Sequence, residues 1–211
     1  MKQKLFLTAL SVLIMVTLTC SYAQEPAPPY EIPIVIVKYF PVNNGIIDIK
    51  VTGDWGKSLK DTQKRVDTII AGAIKALEEG SRFRAYTNPS AQPSIKYRVV
   101  ETYEFIEPLP TYDKPDHQTP MTDYAVIVNR IDGRKWVEKK GVKEIWLFGY
   151  HGGVVDLWES NMAGPYGDVS NSDRDEKDLP VYAKTYTLYH YNYQRHISEA
   201  VEDHIHQIGL K

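Results

Sequence analysis

Residues 34–37 read Ile-Val-Ile-Val, four β-branched side chains in succession. A strand with one face in water alternates apolar and polar residues, so an unbroken apolar run indicates a strand covered on both faces. Strands of this kind belong to sheets that carry helices, and they commonly run parallel to their neighbours. The run therefore predicts a buried strand, with parallel neighbours, in an α/β fold.

Strand and helix patterns alternate along the rest of the chain. Strands are predicted at 95–105, 142–150 and 182–191, and helices at 58–77 and 195–208. The first of these helices begins with a capping box, a serine followed three residues later by an aspartate. This alternation predicts a single α/β domain, a sandwich with helices packed on a mixed or mostly parallel sheet, spanning residues 34–211.

Shorter segments complete the predicted secondary structure. Asn43-Asn44-Gly45 is a turn signal, and the alternation from Ile47 to Val51 predicts the half-exposed strand of a hairpin at the sheet edge. Prolines spread over residues 108–120 predict a long exposed loop. Apolar residues at helical spacing predict a short helix at 124–131, with a second short turn around Trp136.

Residues 1–23 resemble an export signal. Two lysines precede an apolar run, residues 5–19, that is too short for a stable membrane span. Small residues predict cleavage after Ala23, which leaves residues 24–33 as a proline-rich lead. Lipidation at Cys20 is disfavoured because the residue before it is not small. We therefore expect a secreted or periplasmic protein whose mature chain has no membrane span.

Charge and cysteine content exclude some partners and some folds. The chain has 25 Lys and Arg against 27 Asp and Glu, a net charge of -2, and no long block of like charges. Nucleic-acid affinity depends on clustered Lys and Arg, so we expect no nucleic-acid partner. The single cysteine lies in the predicted signal, so the mature fold must be held by its hydrophobic core.

Two loops carry most of the candidate site residues. The first follows the predicted strand at 142–150, and the second follows the predicted strand at 182–191. In open α/β sheets the ligand crevice lies outside the carboxyl ends of the parallel strands, so neighbouring strands would bring the loops to one rim. We hypothesise that Glu159 acts there as a general acid or base with His151 as its partner. The residues expected to bind substrate are Trp158, Asn161, Asn192, Arg195 and Glu199.

The first loop has two further interpretations. His151-Gly152-Gly153 is similar to the oxyanion loop of lipases and esterases, but Ser160 lacks the flanking glycines of a nucleophile elbow. A tight glycine turn is the simpler interpretation. Asp156 could also form a carboxylate pair with Glu159, because acid and base roles separate when two carboxyl groups have different environments.

The closing helix and an acidic segment raise the question of metals. Glu202 and His206 stand four residues apart, a spacing at which both could bind one metal with a loop residue, although the helix lacks the histidine pair of a zincin. The alternative is a solvated helix face. His204 lies in the apolar face and is interpreted as a satisfied buried histidine. Residues 168–178 could bind calcium, but they do not match an EF-hand, which favours a solvated loop.

Several segments together resemble a family of uncharacterised bacterial secreted proteins. They are Tyr150–Gly153, Leu157–Pro165, Asp168–Asp175, Tyr191–Glu199 and His206. The resemblance implies a complete exported unit that elsewhere accompanies adhesive or sugar-binding modules. It implies no activity, cofactor or catalytic residue.

Three functions therefore stay open, and the sequence identifies no cofactor. The first is a hydrolase acting on an extracellular polymer, either a polysaccharide or a peptide. The second is a non-catalytic module that binds carbohydrate or protein on a platform of coplanar rings drawn from Tyr150, Trp158 and Tyr166. The third is a metal-dependent hydrolase that uses Glu202, His206 and one loop residue.

Overall fold

The computed structural model describes residues 27–83, 88–115, 117–169 and 179–209. The predicted export signal, Cys20 and the acidic stretch that follows Val169 lie outside the described residues. Within the described parts, no helix combines the length and apolarity needed to cross a membrane.

Ten strands and four α-helices make up the described structure. The strands are β1 (Tyr30–Tyr39), β2 (Val42–Asn43), β3 (Ile46–Ile47), β4 (Ile95–Phe105), β5 (Thr111–Tyr112), β6 (Met121–Thr122), β7 (Glu144–Gly149), β8 (Ser160–Gly164), β9 (Gly167–Asp168) and β10 (Tyr186–Asn192). The helices are α1 (Ile49–Thr52), α2 (Leu59–Gly80), α3 (Tyr124–Arg130) and α4 (Ile197–Gly209), and a π-helical turn spans Lys135–Lys139.

Six strands form one mixed sheet in the order β4-β1-β7-β10-β8-β9. The first four are parallel, and β8 and β9 add antiparallel pairs at one edge. The prediction of an α/β fold with a mostly parallel sheet is confirmed. Residues 34–37 are fully buried between β4 and β7, as their β-branched run predicted. The strand begins earlier, at Tyr30, so the end of the proline-rich lead belongs to the sheet.

Helices cover both faces of this sheet. Consecutive strand residues point to opposite faces. In β10, Tyr189 stacks on His204 of α4 with ring centroids 4.0 Å apart, whereas the next residue, His190, lies 3.2 Å from the Tyr124 hydroxyl of α3. Helix α2 packs beside α4, and Ser58 caps its first turn as predicted. The result is three layers, with α2 and α4 on one face and α3 on the other.

The predicted half-exposed strand at 47–51 is wrong beyond Ile47. Residues 49–52 form the short helix α1, because Asp48 accepts a hydrogen bond from the Lys50 amide at 2.9 Å and Gly53, with φ of +81°, ends the turn. The caps at the two ends therefore stabilise a helix where the alternating apolar pattern predicted a strand. The predicted hairpin turn is confirmed, but β2 and β3 form a separate two-stranded sheet rather than an edge of the main one.

Two other segments differ from the sequence expectations. The loop at 108–120 is not simply exposed, since Leu109 and Lys114 are buried. The antiparallel strand β8 was not predicted, because its sequence Ser-Asn-Met-Ala-Gly contains no β-branched residue. Strand β8 pairs with β10, and this pairing sets Glu159 at the rim of the sheet.

Candidate functional site

A polar pocket of about 340 Å³ lies at the carboxyl ends of β7 and β10. The two loops that follow these strands meet there, as the sequence predicted for parallel neighbours. Helix α4 closes the third side. The residues that line the pocket are His151, Asp156, Leu157, Glu159, His190, Asn192, Arg195, Glu199, Glu202 and Asp203.

Hydrogen bonds join the two loops directly. The Tyr193 amide donates to the Gly149 carbonyl at 2.9 Å, and the His151 amide donates to Gln194 Oε1 at 2.8 Å. Gln194 also donates from Nε2 to the Thr52 carbonyl at 2.9 Å, which ties both loops to α1. The position of His151 is therefore determined by contacts from three separate parts of the chain.

The His151-Gly152-Gly153 sequence is a tight turn, in agreement with its simpler interpretation. Gly152 and Gly153 have φ values of +50° and +72°, which favour glycine. A Cβ on Gly152 would lie 1.9 Å from the Thr52 carbonyl oxygen, whereas one on Gly153 would meet nothing within 4 Å. Gly152 therefore serves both the turn and the close approach of α1.

Replacing Gly152 with alanine should destabilise the fold more than the same change at Gly153. Both variants place a side chain at positive φ, which costs about 1 kcal/mol, but only Gly152→Ala adds a backbone clash worth about 2 kcal/mol more. Urea unfolding of the two variants would measure the difference. Equal losses of stability would contradict the close approach of Gly152 to α1.

The imidazole of His151 has a defined tautomer. Its Nδ1 lies 2.5 Å from the Val155 carbonyl oxygen, which can only accept, so Nδ1 carries the proton. In the neutral ring, Nε2 is then a hydrogen-bond acceptor. His151 can thus receive a proton or a hydrogen bond in the pocket.

Glu159 lines the same pocket as His151, but its hydrogen bond goes to another residue. His206 Nδ1 lies 2.6 Å from Glu159 Oε2, and this hydrogen bond raises the pKa of His206 above its ordinary value. Glu202 Oε1 lies 3.9 Å from His206 Nε2. In place of a direct pair with His151, Glu159 thus belongs to a Glu159–His206–Glu202 chain at the pocket mouth.

Asp203 has the most altered carboxyl group of the pocket. Burial raises its pKa to about 7, the negative charges of Glu159, Glu202 and Glu199 add to the rise, and His206 opposes it. A carboxyl with this pKa is partly protonated at neutral pH and can donate a proton. The sequence analysis did not single out this residue, because the rise in its pKa depends on burial and on charges that include Glu159 of another element.

Asp156 pairs with a histidine that the sequence did not single out. His117 Nδ1 lies 2.9 Å from Asp156 Oδ2. Burial would raise the pKa of Asp156, but hydrogen bonds from His117 and Thr119, with the charges of His117 and His151, lower it overall. The Asp156 carboxylate is therefore ionised at neutral pH and holds the 108–120 loop against the pocket wall.

The predicted substrate-binding residues of the second loop all reach the pocket. Asn192 Oδ1 accepts from the Gln194 amide at 3.0 Å, and Arg195 is exposed at the rim. Glu199 accepts from the His196 amide at 3.1 Å as a helix cap, and a hydrogen bond from Ser198 lowers the pKa of its carboxyl group. Arg65 supports this loop by donating to the Tyr193 and Arg195 carbonyls, each at 2.6 Å.

The predictions for Asn161 and Trp158 need correction. Asn161 is fully buried in β8 and does not line the pocket, because the segment pairs with β10 instead of forming a loop. Trp158 is half-buried, with Lys114 Nζ 4.9 Å from its ring centroid. The expected platform is not formed either, since Tyr150 is 1% exposed and Tyr166 is 99% exposed.

A larger cavity of about 530 Å³ lies between α2 and the start of α4. Its guanidinium, Arg65, is committed to the loop carbonyls, so this cavity offers less chemistry than the strand-end pocket. In the described parts of the chain, no three His, Cys, Asp or Glu side chains are arranged to hold a metal ion. The metal-dependent hypothesis for Glu202 and His206 therefore finds no support among those residues.

The strand-end pocket combines seven titratable side chains of the lining loops and helix with the buried His190. The sequence signals for Asp203, His190 and His117 were weak, because each depends on neighbours far away in the chain. Comparison of the chain with family models, curated proteins and solved structures found no match.

Proposed function

We propose that this protein is an exported hydrolase that cleaves an extracellular polymer by acid–base catalysis in the strand-end pocket. The main support is a pair of carboxyl groups with different environments. Burial and its acidic neighbours raise the pKa of Asp203 to about 7, whereas Glu159 is hydrogen bonded to His206. Two carboxyl groups in unlike surroundings can divide the acid and base roles of hydrolysis.

The proposed reaction assigns one proton transfer to each group. Asp203 donates its proton to the leaving-group oxygen as the bond to the polymer breaks. Glu159 accepts a proton from the water whose oxygen attacks the electrophilic carbon. The two products together contain the atoms of the water that was consumed. The carboxyl groups then return to their starting protonation states by exchanging protons with solvent. His206 holds Glu159 in place through the hydrogen bond from Nδ1 to Oε2 at 2.6 Å.

The other pocket residues would position the substrate. Asn192 at the end of β10 and Arg195 just before α4 both line the pocket, where a polar group of the polymer can be held between them. The Nε2 acceptor of His151 can receive a hydrogen bond from a substrate hydroxyl or from the attacking water. Asp156 and His117 keep the adjoining loop in place.

Location and domain organisation belong to the same proposal. Export rests on the pattern of residues 1–23, and a single domain over residues 34–211 rests on the alternation of strands and helices. The family resemblance is consistent with an exported unit. A non-catalytic binding module remains the competing function, and it would show binding of a polymer without turnover.

Glu159→Gln should reduce hydrolysis by about a hundredfold or more, because glutamine cannot accept the proton of water. The purified mature protein would be incubated with a panel of extracellular polysaccharides and peptides, and the release of new reducing ends or amines would be measured. Glu101→Gln is the matched control, since Glu101 is exposed on β4 away from the pocket.

Two results would contradict the proposal. One is the absence of cleavage across the panel, with a polymer bound but not turned over. The other is full activity of the Glu159→Gln variant, which would remove the carboxylate from the reaction.

A further inference from the structure

His190 contributes a nitrogen without a partner at this pocket. Its side chain is fully buried, and Nε2 has no hydrogen-bond partner among the described residues. A Cβ at Gly149 would lie 2.5 Å from this nitrogen and 2.8 Å from Leu109 Cδ1, so the ring packs closely against the glycine. Buried polar atoms are rarely left unpaired, which indicates that a ligand or water group completes the bonding of Nε2.

Tyr124 holds the other ring nitrogen of His190. Its hydroxyl lies 3.2 Å from His190 Nδ1, and the Trp158 amide donates to the same hydroxyl at 2.8 Å. Burial lowers the pKa of His190 to about 3, with a further contribution from His151, so the ring stays neutral. A neutral imidazole has one donor and one acceptor nitrogen, so Nε2 needs a partner in either tautomer, and a hydroxyl group can serve both.

Most other groups of the pocket are acceptors. Glu199 and Glu202 line it from α4, and Asp156 and Glu159 line it from the loop after β7, whereas Asp203 keeps a proton below about pH 7. The Nε2 of His151 is a further acceptor. Arg195 is the cation that the lining provides against the four other carboxyl groups. A complementary ligand must supply several hydrogen-bond donors, and it gains from a positive charge.

From this inventory we propose that the pocket binds a sugar unit carrying a free amino group, so that the polymer is an amino-bearing polysaccharide. The ammonium group lies against the α4 carboxylates Glu199 and Glu202, and a ring hydroxyl forms a hydrogen bond with His190 Nε2. This inference rests on the proposed hydrolysis in the same pocket. It names the substrate class that the pocket selects.

A sugar fits these groups better than a basic peptide. A lysine side chain carries its donors at one end only, whereas an amino sugar presents hydroxyl donors around the ring as well as the ammonium group. Acceptors here are spread over a strand, a loop and a helix. Acid–base catalysis by two carboxyl groups is also the usual chemistry of glycoside hydrolysis.

Binding of free sugars tests this substrate class separately from catalysis, because a monosaccharide has no glycosidic bond to break. Glucosamine, N-acetylglucosamine, glucose and lysine amide would be titrated into the wild-type protein at about pH 6, where both amines are charged. Binding would be followed by NMR, including the ring nitrogens of His190. We expect glucosamine to bind about tenfold more tightly than the other three, and to shift the His190 Nε2 signal.

Variants sharpen the same titration. Glu202→Gln should weaken glucosamine binding by about threefold to tenfold and leave glucose binding unchanged, because only the amino sugar uses the negative charge. Glu101→Gln on β4 is the control and should change neither.

The outcomes separate this inference from the proposed function. Equal binding of the three sugars, or tighter binding of lysine amide, would overturn the amino-sugar assignment, even if a neutral polysaccharide were cleaved. Selective glucosamine binding would support the assignment, and the absence of turnover of a glucosamine polymer would then overturn hydrolysis alone.

Discussion

Replacing Asp203 with asparagine should abolish hydrolysis and at the same time stabilise the protein above about pH 7. Asparagine cannot donate the proton that the leaving group requires, so a loss of about 10²–10⁴-fold is expected. In the wild-type protein, activity should fall as pH rises past about 7, where Asp203 loses its proton.

The stability change follows from the raised pKa of Asp203. The pKa of Asp203 in the folded protein is about 7, above its ordinary value of 3.8. This carboxyl group therefore has no destabilising effect below pH 3.8. Its effect grows between pH 3.8 and 7 and is complete above pH 7. Solvent screening weakens the effect because the group is only half-buried. Asp203→Asn should therefore raise the free energy of unfolding by about 1–2 kcal/mol above pH 7. Burial, with Glu159, Glu202 and Glu199, causes the penalty, and His206 reduces it.

Urea unfolding at low and high pH, with activity measured in parallel, would check both parts. Glu101→Gln is again the control and should change neither stability nor turnover, because Glu101 is exposed on β4. A stability difference between Asp203→Asn and wild type that is the same at both pH values would show that the carboxyl group titrates normally. An active variant would remove it as the acid.

The parts of the fold with local signals were predictable from sequence. The β-branched run at 34–37 indicated a strand covered on both faces, and Ser58 with Asp61 indicated a helix start. The meeting of the His151 and Asn192 loops was also predictable, since parallel strands carry their carboxyl ends to the same edge. These inferences need only periodicity and a topological rule.

The groups that give the pocket its chemistry depend on distant neighbours. His190 lies in a buried strand, and its Nδ1 contacts the hydroxyl of Tyr124, 66 residues earlier in the chain. Burial raises the pKa of Asp203, and the charge of Glu159 on another element adds to the rise. Strand β8 was missed because pairing with β10, rather than β propensity, makes it a strand. A single sequence carries no signal for such contacts.

His204→Ala should be the most destabilising single substitution that we predict. As the apolar face of α4 indicated, His204 is a satisfied buried histidine. Tyr97 and Tyr191 place their hydroxyls 3.0 and 2.9 Å from its Nε2 and Nδ1, and Tyr189 stacks on its ring. The substitution leaves both hydroxyls without this partner and opens a cavity, so a loss of about 4 kcal/mol is expected at neutral pH.

The stability lost through His204→Ala should decrease as pH falls, which distinguishes this histidine from an ordinary core residue. Burial lowers the pKa of His204 to about 4 from 6.5, so the wild-type protein loses stability as pH falls from 6.5 to 4, by about 3 kcal/mol. The variant has no His204 to protonate on unfolding, and the stability difference from wild type should narrow to about 1 kcal/mol at pH 4.

Ile205→Ala is the control, because Ile205 is exposed on the same helix, and it should cost less than about 0.5 kcal/mol at either pH. Urea unfolding at both pH values measures all three proteins, and a gap that does not change with pH would mean that His204 titrates alike in the folded and unfolded chains.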